Sequence, residues 1–231
     1  MRVVYGFTLA AAVAVLTANL YAQAQDASKG VAGGGIAVAG WTGKIDDSKE
    51  NAGLALKDAK FVAEGQGFHI TTGPAVTYWH PKNVASGNYT VKASFAEPKF
   101  QGLNSHPHPY GIMIGGNDLD TPNASMLYCS AYGSGQFIVR GFGPAPFAVN
   151  KGREANAAIK KAEVGQPVTN EVALSVKGDK VECSVNGTVV GSYDKAAVIG
   201  AGKLKSTDGV YGLRFGHNTE AVVTGFGMTK N

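Results

Sequence analysis

Hydrophobic and polar residues alternate with a period of two along much of the chain after residue 60. From Tyr89 to Phe95 every second residue is apolar, and the residues between them are Thr, Lys and Ser. Because successive side chains of a strand point to opposite faces, this alternation indicates half-buried β-strands. The same pattern predicts strands at 68–71, 75–79, 110–114, 126–132, 136–141, 210–216 and 221–228.

An antiparallel meander is predicted over residues 168–193. Its first two alternating runs, at 172–176 and 181–185, are separated by Gly178-Asp179, and Asn186-Gly187 follows the second run. Asn-Gly between alternating runs is the strongest short-range hairpin signal, because both turn residues must adopt positive φ. Sequential strands are therefore expected to pair with one another in this part of the chain.

The remaining patterns favour an all-β protein. Residues 126–132 and 136–142 are apolar or aromatic on both sides, as expected for strands that bury one face and line a groove with the other. Helical spacing is weak and confined to 47–60 and 153–163, and residues 141–167 form one long connection. Glycine makes up 32 of 231 residues, about twice the usual 7% share, which favours turns over helices. We predict an antiparallel two-sheet jelly-roll sandwich with one or two short helices.

The N-terminus has the pattern of an export signal. Arg2 precedes an apolar run, and Ala22-Gln23-Ala24 matches the small-x-small site of signal peptidase. We therefore expect residues 1–24 to be a signal peptide, 25–35 a flexible lead and 36–231 a single domain in the periplasm or outside the cell. The alternative is an uncleaved membrane anchor, which the polar residues Thr8, Thr17 and Asn19 disfavour. After cleavage no association with the membrane is expected.

Charge and cysteine content add two expectations. The net charge is +4, and loss of Arg2 with the leader lowers it to +3, which is too small and scattered for a nucleic-acid partner. Cys129 and Cys183 lie in strand-like runs. In an exported protein they are either joined in a disulfide or buried as two free thiols, and geometry must decide between these states.

The order of the C-terminal motifs resembles that of the concanavalin A-like lectin/glucanase superfamily. The motifs are Asn170-Glu171-Val172 with its following alternation, Val185-Asn186-Gly187, and Asp208-Gly209 followed by Tyr211-Gly212-Leu213-Arg214. Within the superfamily, the pattern is most similar to laminin-G-like domains and exported 3-keto-disaccharide hydrolase-like domains. The resemblance implies that the protein binds sugars or acts as a glycoside hydrolase or lyase. However, the chain lacks the Glu-x-Asp-x-x-Glu triplet of the laminarinase-type glycosidases.

Two local motifs contain candidate ligand or metal contacts. In His106-Pro107-His108-Pro109-Tyr110, alternate prolines hold the backbone extended, so both imidazoles project to one side. They either contact a ligand, bind a metal together with His80, His217 or an acidic residue from elsewhere in the chain, or remain solvated in a stiff loop. Asp118 and Asp120 lie in a glycine turn that either binds Ca²⁺ or is a plain turn. We expect no required cofactor, and Ca²⁺ is the one candidate ion.

Arginines and aromatic residues complete the candidate site. Arg140 and Arg214 interrupt apolar strands, so each must reach water, a carboxylate or a bound ligand. Aromatic side chains offer flat surfaces for sugar rings. The predicted ligand contacts are Trp79, His80, His106, His108, Tyr110, Tyr128, Arg140, Arg214 and His217.

Three functions are compatible with these patterns. The first is an exported module that binds a glycan or small sugar-like ligand in a groove without catalysis, and it is preferred because the acidic triplet is absent. The second is a hydrolase or lyase acting on 3-keto-glycosides or other glycosides, with a histidine as general acid or base. The third is a structural or adhesive extracellular module. The catalytic residues, the ligand and the oligomeric state are not determined by the sequence.

Overall fold

Two antiparallel sheets face each other across one hydrophobic core, and the prediction of an all-β jelly-roll sandwich is confirmed. The computed structural model describes residues 28–101 and 108–231. The strands are β1 (Gly35–Ile36), β2 (Thr42–Ile45), β3 (Lys60–Glu64), β4 (Gly67–Thr71), β5 (Val76–Ala85), β6 (Tyr89–Glu97), β7 (Pro109–Asn117), β8 (Ser125–Tyr132), β9 (Gln136–Phe142), β10 (Pro146–Ala148), β11 (Glu154–Ala155), β12 (Val168–Lys177), β13 (Lys180–Val185), β14 (Thr188–Asp194), β15 (Gly209–Phe215) and β16 (Glu220–Lys230).

The strands form a back sheet in the order β1-β3-β4-β16-β6-β12-β13-β14 and a front sheet in the order β10-β9-β8-β7-β15-β5-β2. The short strand β11 pairs with β9 at the edge of the front sheet. Helical structure in the described residues is limited to one turn of α-helix, α1 (Lys195–Val198), and two 3-10 turns at Lys49–Asn51 and Leu56–Asp58. None of the helices in residues 28–101 and 108–231 has the length and apolar character needed to cross a bilayer.

The period-two alternation determines which side chains form the core. Val91 and Phe95 from β6, Leu174 from β12, and Ile112 and Leu127 from the front sheet are each at most 1% exposed. The intervening residues of each strand point away from the core. In the back sheet those outward positions are polar, as the ion pair between Lys92 and Glu171 illustrates.

A disulfide joins the two sheets through the core. Cys129 of β8 and Cys183 of β13 are bonded, with their Cα atoms 6.0 Å apart. Both side chains are fully buried. Of the two states left open by the sequence, the structure therefore has the bridge, which fixes the centre of the front sheet to the back sheet.

The segment expected to be a flexible lead, 25–35, is held against the domain from Ser28 onward. The backbone N–H of Val31 donates to the carbonyl of Asp58 at 3.0 Å, and that of Lys29 donates to Oδ1 of Asn218 at 2.9 Å. Residues Gly35–Ile36 then add a parallel strand to β3. The edge of β3 offers unpaired backbone groups, which explains the ordering. The predicted signal peptide, 1–24, lies outside the described residues.

Candidate ligand-binding site

The outer face of the front sheet is apolar and aromatic. We call its second hydrophobic layer the front cluster; its buried members are Trp79, Met113, Leu119, Met126, Tyr128, Tyr132 and Ile138, with Phe142 and Val210 packed against them. It arises because β8 and β9 are apolar on both sides, the pattern that predicted a groove. Soluble proteins seldom carry a large apolar layer on an outer sheet face without a use for it.

A cleft of about 450 Å³ opens over one end of the front cluster. Its floor contains Thr77, Trp79, Met126 and Phe142, and its walls are the segments 44–47, 119–124 and 143–146. Met126 and Phe142 are cross-strand partners, which places them side by side. A concave, mostly apolar cavity with a few polar groups is the usual form of a small-ligand site.

Two backbone interactions shape the walls of the cleft. Nζ of Lys44 lies 3.2 Å from the carbonyl oxygen of Leu119 and 3.3 Å from that of Thr121, so it ties two walls together. On the third wall, Gly143 passes so close to the backbone of Gly202 that a Cβ atom would lie 2.6 Å from its carbonyl oxygen. Only glycine fits at position 143, and this close approach fixes where the wall turns.

Arg214 is buried next to the cleft and contacts residues that line it. Its guanidinium donates to both carboxylate oxygens of Asp46, with Nη1 2.6 Å from Oδ1, and to Oγ1 of Thr77 at 3.2 Å. It also lies over the rings of Tyr128 and Phe142, at 5.0 and 5.4 Å from their centroids. Burial opposes its charge, but Asp46 outweighs burial and raises the pKa of Arg214. Arg214 therefore forms a structural ion pair with Asp46 and does not serve as a ligand contact.

Arg140 has the opposite environment. It lies on the outer face of β9, directly opposite Tyr128 on β8, and is exposed. Within residues 28–101 and 108–231, no carboxylate forms an ion pair with it. The charge of Arg140 is therefore available to a ligand, whereas that of Arg214 is not.

Tyr110 is not on the ligand face, and this prediction is corrected by the structure. Its ring is fully buried and stacks on Phe95 with centroids 5.1 Å apart, and its hydroxyl accepts a hydrogen bond from Nδ2 of Asn170 at 3.2 Å. Tyr110 has the same parity along β7 as Ile112, so it faces the core. Tyr128, in contrast, shares its parity with Met126 and belongs to the front cluster.

None of the histidines that the structure describes lines the cleft. His108 and His217 are buried against each other, with ring centroids 4.5 Å apart, and Oγ of Ser28 lies 3.3 Å from Nδ1 of His217. His80 packs at 6.4 Å from Trp41, on the opposite side of β5 from Trp79, and its Nδ1 accepts from the backbone of Lys82. His106 lies outside the described residues.

The Asp118–Asp120 turn borders a smaller hollow of about 270 Å³ beside Trp79. Asp118 has φ 52° and forms an ion pair with Lys205, so a lysine already supplies the cation at this carboxylate. In the described part of the chain no three His, Cys, Asp or Glu residues are grouped closely enough to hold a metal ion.

A carboxyl group is buried away from the cleft. Glu97 ends β6 on its core side, is 4% exposed, and its Oε2 has no hydrogen-bond partner among the described residues. Burial raises the pKa of Glu97 to about 7, the charge of Glu220 adds to this effect, and a hydrogen bond from the backbone of Gln101 opposes it. The carboxyl is therefore half protonated near neutral pH.

This group should make the stability of the fold depend on pH. The native pKa of Glu97 lies above its ordinary value of 4.5, so its contribution to stability is retained at pH 4 and lost as the pH rises through 7. The loss amounts to about 3 kcal/mol by pH 8, at about 1.4 kcal/mol per unit. Urea unfolding should show Glu97→Gln to be more stable than wild type at pH 8 but not at pH 5. The exposed control Glu163→Gln should follow wild type, and an equal difference at both pH values would contradict the assignment.

Sequence reasoning missed several residues of the cleft. Lys44 lies in the four-residue strand β2 and Asp46 directly follows it, and this short segment shows no clear alternation. Thr121 and Met126 also line the cleft but were not predicted as site residues. The two-sided apolar character of β8 was the signal for Met126. No signal in the sequence joins Asp46 to Arg214, which are 168 positions apart.

Comparisons with known proteins show the fold. The carbohydrate-binding module CBM66 from Bacillus subtilis is similar over 85% of this chain and 99% of its own, with a TM-score of 0.54 and 11% identity. A glycoside hydrolase family 16 endo-glucanase from Bacteroides ovatus is similar over 79% of this chain and 80% of its own, with a TM-score of 0.47 and 15% identity. No family model matches the chain, and no curated protein does. The comparisons show the fold alone, and they confirm the predicted one: the chain is a jelly-roll β-sandwich.

Proposed function

We propose that this protein is a non-catalytic carbohydrate-binding domain and that the ligand lies in the cleft over Trp79, Met126 and Phe142. The observation that carries the proposal is a concave, mostly apolar cleft on the outer face of a sheet, with Trp79 and Phe142 in its floor and a few polar side chains in its walls. Aromatic rings provide flat apolar contact for sugar faces, and the wall residues Lys44, Asp47 and Thr121 offer polar contacts for hydroxyl groups. The structurally similar CBM66 is itself described as a carbohydrate-binding module.

Binding is favoured over hydrolysis by the state of the acidic side chains. Glycosidases generally need two carboxyl groups flanking the scissile bond. Among residues 28–101 and 108–231, two carboxylates line the cleft, Asp46 and Asp47. Asp46 is already held by both ends of the Arg214 guanidinium, so it is not free to attack a sugar or to transfer a proton. We expect no turnover of 3-keto-disaccharides by the purified protein, with or without divalent metal, and measurable product release would overturn this choice.

We place the protein in the periplasm or outside the cell. The leader-like residues 1–24 support export, and a buried disulfide is typical of oxidising compartments. N-terminal sequencing of the exported protein is expected to give Gln25 as its first residue. Retention of the leader in the mature protein would contradict this assignment.

Phe142→Ala is the variant that tests the cleft. Trp79 is 3% exposed and part of the packed front cluster, so its removal would disturb the floor itself. Phe142 is half-buried and borders the cavity. A screen of oligosaccharides by calorimetry should identify a ligand, and Phe142→Ala should bind it about fivefold more weakly, in line with about 1 kcal/mol for an aromatic contact.

The matched control is Val189→Ala, an exposed apolar residue on β14 of the back sheet that is 47% exposed. It should bind like wild type. Thermal unfolding should show that both variants are folded at the temperature of the titration. The proposal fails if no saccharide binds, or if Phe142→Ala binds with unchanged affinity.

A further inference from the structure

The edge of the front sheet beyond the cleft is strongly basic. From residue 140 to residue 161 the chain has five basic residues and one acidic residue. The acidic one, Glu154, accepts a hydrogen bond from the backbone N–H of Lys151. The excess positive charge is thus concentrated in one segment, β9 to the turn after β11, although the protein as a whole carries only +4.

Strand register places one of these cations, Arg140, on the outer face, and a second, Arg153, lies near the same face. Arg140 lies between Tyr128 of β8 and Ala148 of β10. At the other end of β9, Glu154 pairs with Phe137, whose side chain faces the core. Arg153 lies in the bend just before β11 and is exposed, and its charge acts on Tyr132 of the front cluster, which indicates that it lies on the outer side.

Tyr132 of the front cluster interacts electrostatically with both arginines. Burial raises the pKa of Tyr132 to about 12, whereas the charges of Arg153, Arg140 and Arg214 act in the opposite direction. Three positive charges therefore act on one phenol. Asp46 neutralises that of Arg214, but no carboxylate of the described residues pairs with Arg140 or Arg153, and both are exposed.

The basic edge is continuous with the cleft. Phe142 and Arg140 are two residues apart on the same face of β9, a separation of about 7 Å along a strand. The ring of Phe142 also stacks on Tyr128, the cross-strand partner of Arg140, with centroids 6.0 Å apart. A sugar that rests on Phe142 therefore brings a substituent, or its neighbouring residue, within reach of the Arg140 guanidinium.

We propose that the ligand is an acidic saccharide and that Arg140 and Arg153 bind the carboxylate of a uronic acid residue. This inference rests on the proposed carbohydrate-binding function and specifies its ligand class. A guanidinium presents parallel N–H donors that match the two oxygens of a planar carboxylate. Neutral sugars would leave both exposed cations without a counter-charge at the site.

The test uses pairs of ligands that differ only in charge. Trisaccharides of galacturonate, glucuronate and mannuronate are titrated into the protein by calorimetry, each beside its own methyl ester, which keeps the sugar and removes the charge. We expect at least one acid to bind tenfold or more tightly than its ester. That preference should weaken between 50 and 200 mM salt, because exposed charges are screened.

Charge-removing variants assign the preference to the two arginines. Arg140→Gln and Arg153→Gln should each weaken binding of the acid about tenfold and leave the ester unchanged. The control Lys60→Gln removes an exposed cation from β3 of the back sheet and should bind both forms like wild type. Phe142→Ala should weaken acid and ester equally, since it removes the shared contact with the ring.

Each contrary result falsifies a distinct statement. Equal affinity for acid and ester in all three pairs overturns the acidic ligand but leaves the carbohydrate-binding function standing. Tighter binding of a sulfated galactan oligosaccharide than of any uronate overturns the carboxylate assignment. Unchanged acid binding by Arg140→Gln and Arg153→Gln overturns the assigned residues. If no saccharide, neutral or acidic, binds wild type, both proposals fail.

Discussion

Asp46→Ala is expected to lower the free energy of unfolding by about 3–5 kcal/mol. The substitution leaves the Arg214 guanidinium with no carboxylate, while the side chain of Arg214 is only 7% exposed. Removal of one partner from a buried pair has an effect of this size because the remaining charge stays desolvated. Urea unfolding followed by circular dichroism at pH 7 measures the change.

A double-mutant cycle separates the ion pair from simple packing. Arg214→Met keeps a side chain over Tyr128 and Phe142 without the charge, so combining it with Asp46→Ala should destabilise less than the two changes added together. The control is Lys92→Ala, which breaks the exposed pair with Glu171 and should change stability by less than about 1 kcal/mol. Strict additivity, or a loss for Asp46→Ala no larger than that control, would show that the pair contributes little.

Disrupting the pair of Asp46 and Arg214 should also change the shape of the cleft. Asp46 and Thr77, both contacts of Arg214, line the cleft, and Phe142 of its floor lies under the guanidinium. A loosened Arg214 therefore changes the cleft as well as the fold. We infer that this arginine fixes the geometry of the site, whereas Arg140, which is exposed, is available to act on a ligand directly.

Most strands could be predicted because alternation and turn chemistry are local signals. The hairpin between β13 and β14 forms where Asn186 and Gly187 adopt φ of 50° and 80°, as the Asn-Gly pair requires. The helical spacing at 153–163 was misleading. In place of a helix, Glu154 and Ala155 pair with the free edge of β9, since a helix of that length is marginal in water without packing.

The site was harder to predict because alternation gives a period but not its phase. Tyr110 and Tyr128 lie in strands of similar composition, yet the first faces the core and the second the outer layer. Which face of a strand points to the core is determined only by its pairing with neighbouring strands. Contacts such as Asp46 with Arg214 depend on the order of strands in the front sheet, where β2 and β15 both flank β5, and that order is a property of the whole fold.

Replacing both cysteines with alanine is expected to destabilise the oxidised protein by about 4 kcal/mol. The bridge between Cys129 and Cys183 closes a loop of 54 positions, and restricting a loop of that length in the unfolded chain is worth about 4 kcal/mol in the chain-entropy model. The comparison is made by urea unfolding of the wild type and of the double variant without reductant.

Reduction provides the control, because it removes the bond and keeps the sulfur atoms. In excess dithiothreitol, the free energy of unfolding of wild type should fall nearly to that of the Cys129→Ala/Cys183→Ala variant. A small difference should remain, because alanine fills less of the core than cysteine. Reductant should not change the stability of the variant. A reduced wild type as stable as the oxidised one would show that the bridge constrains little.

The bond joins β8, which carries Tyr128 of the front cluster, to the back sheet. If it has the predicted effect, ligand affinity should also fall on reduction, because the strand beneath the site then loses its covalent link to the back sheet.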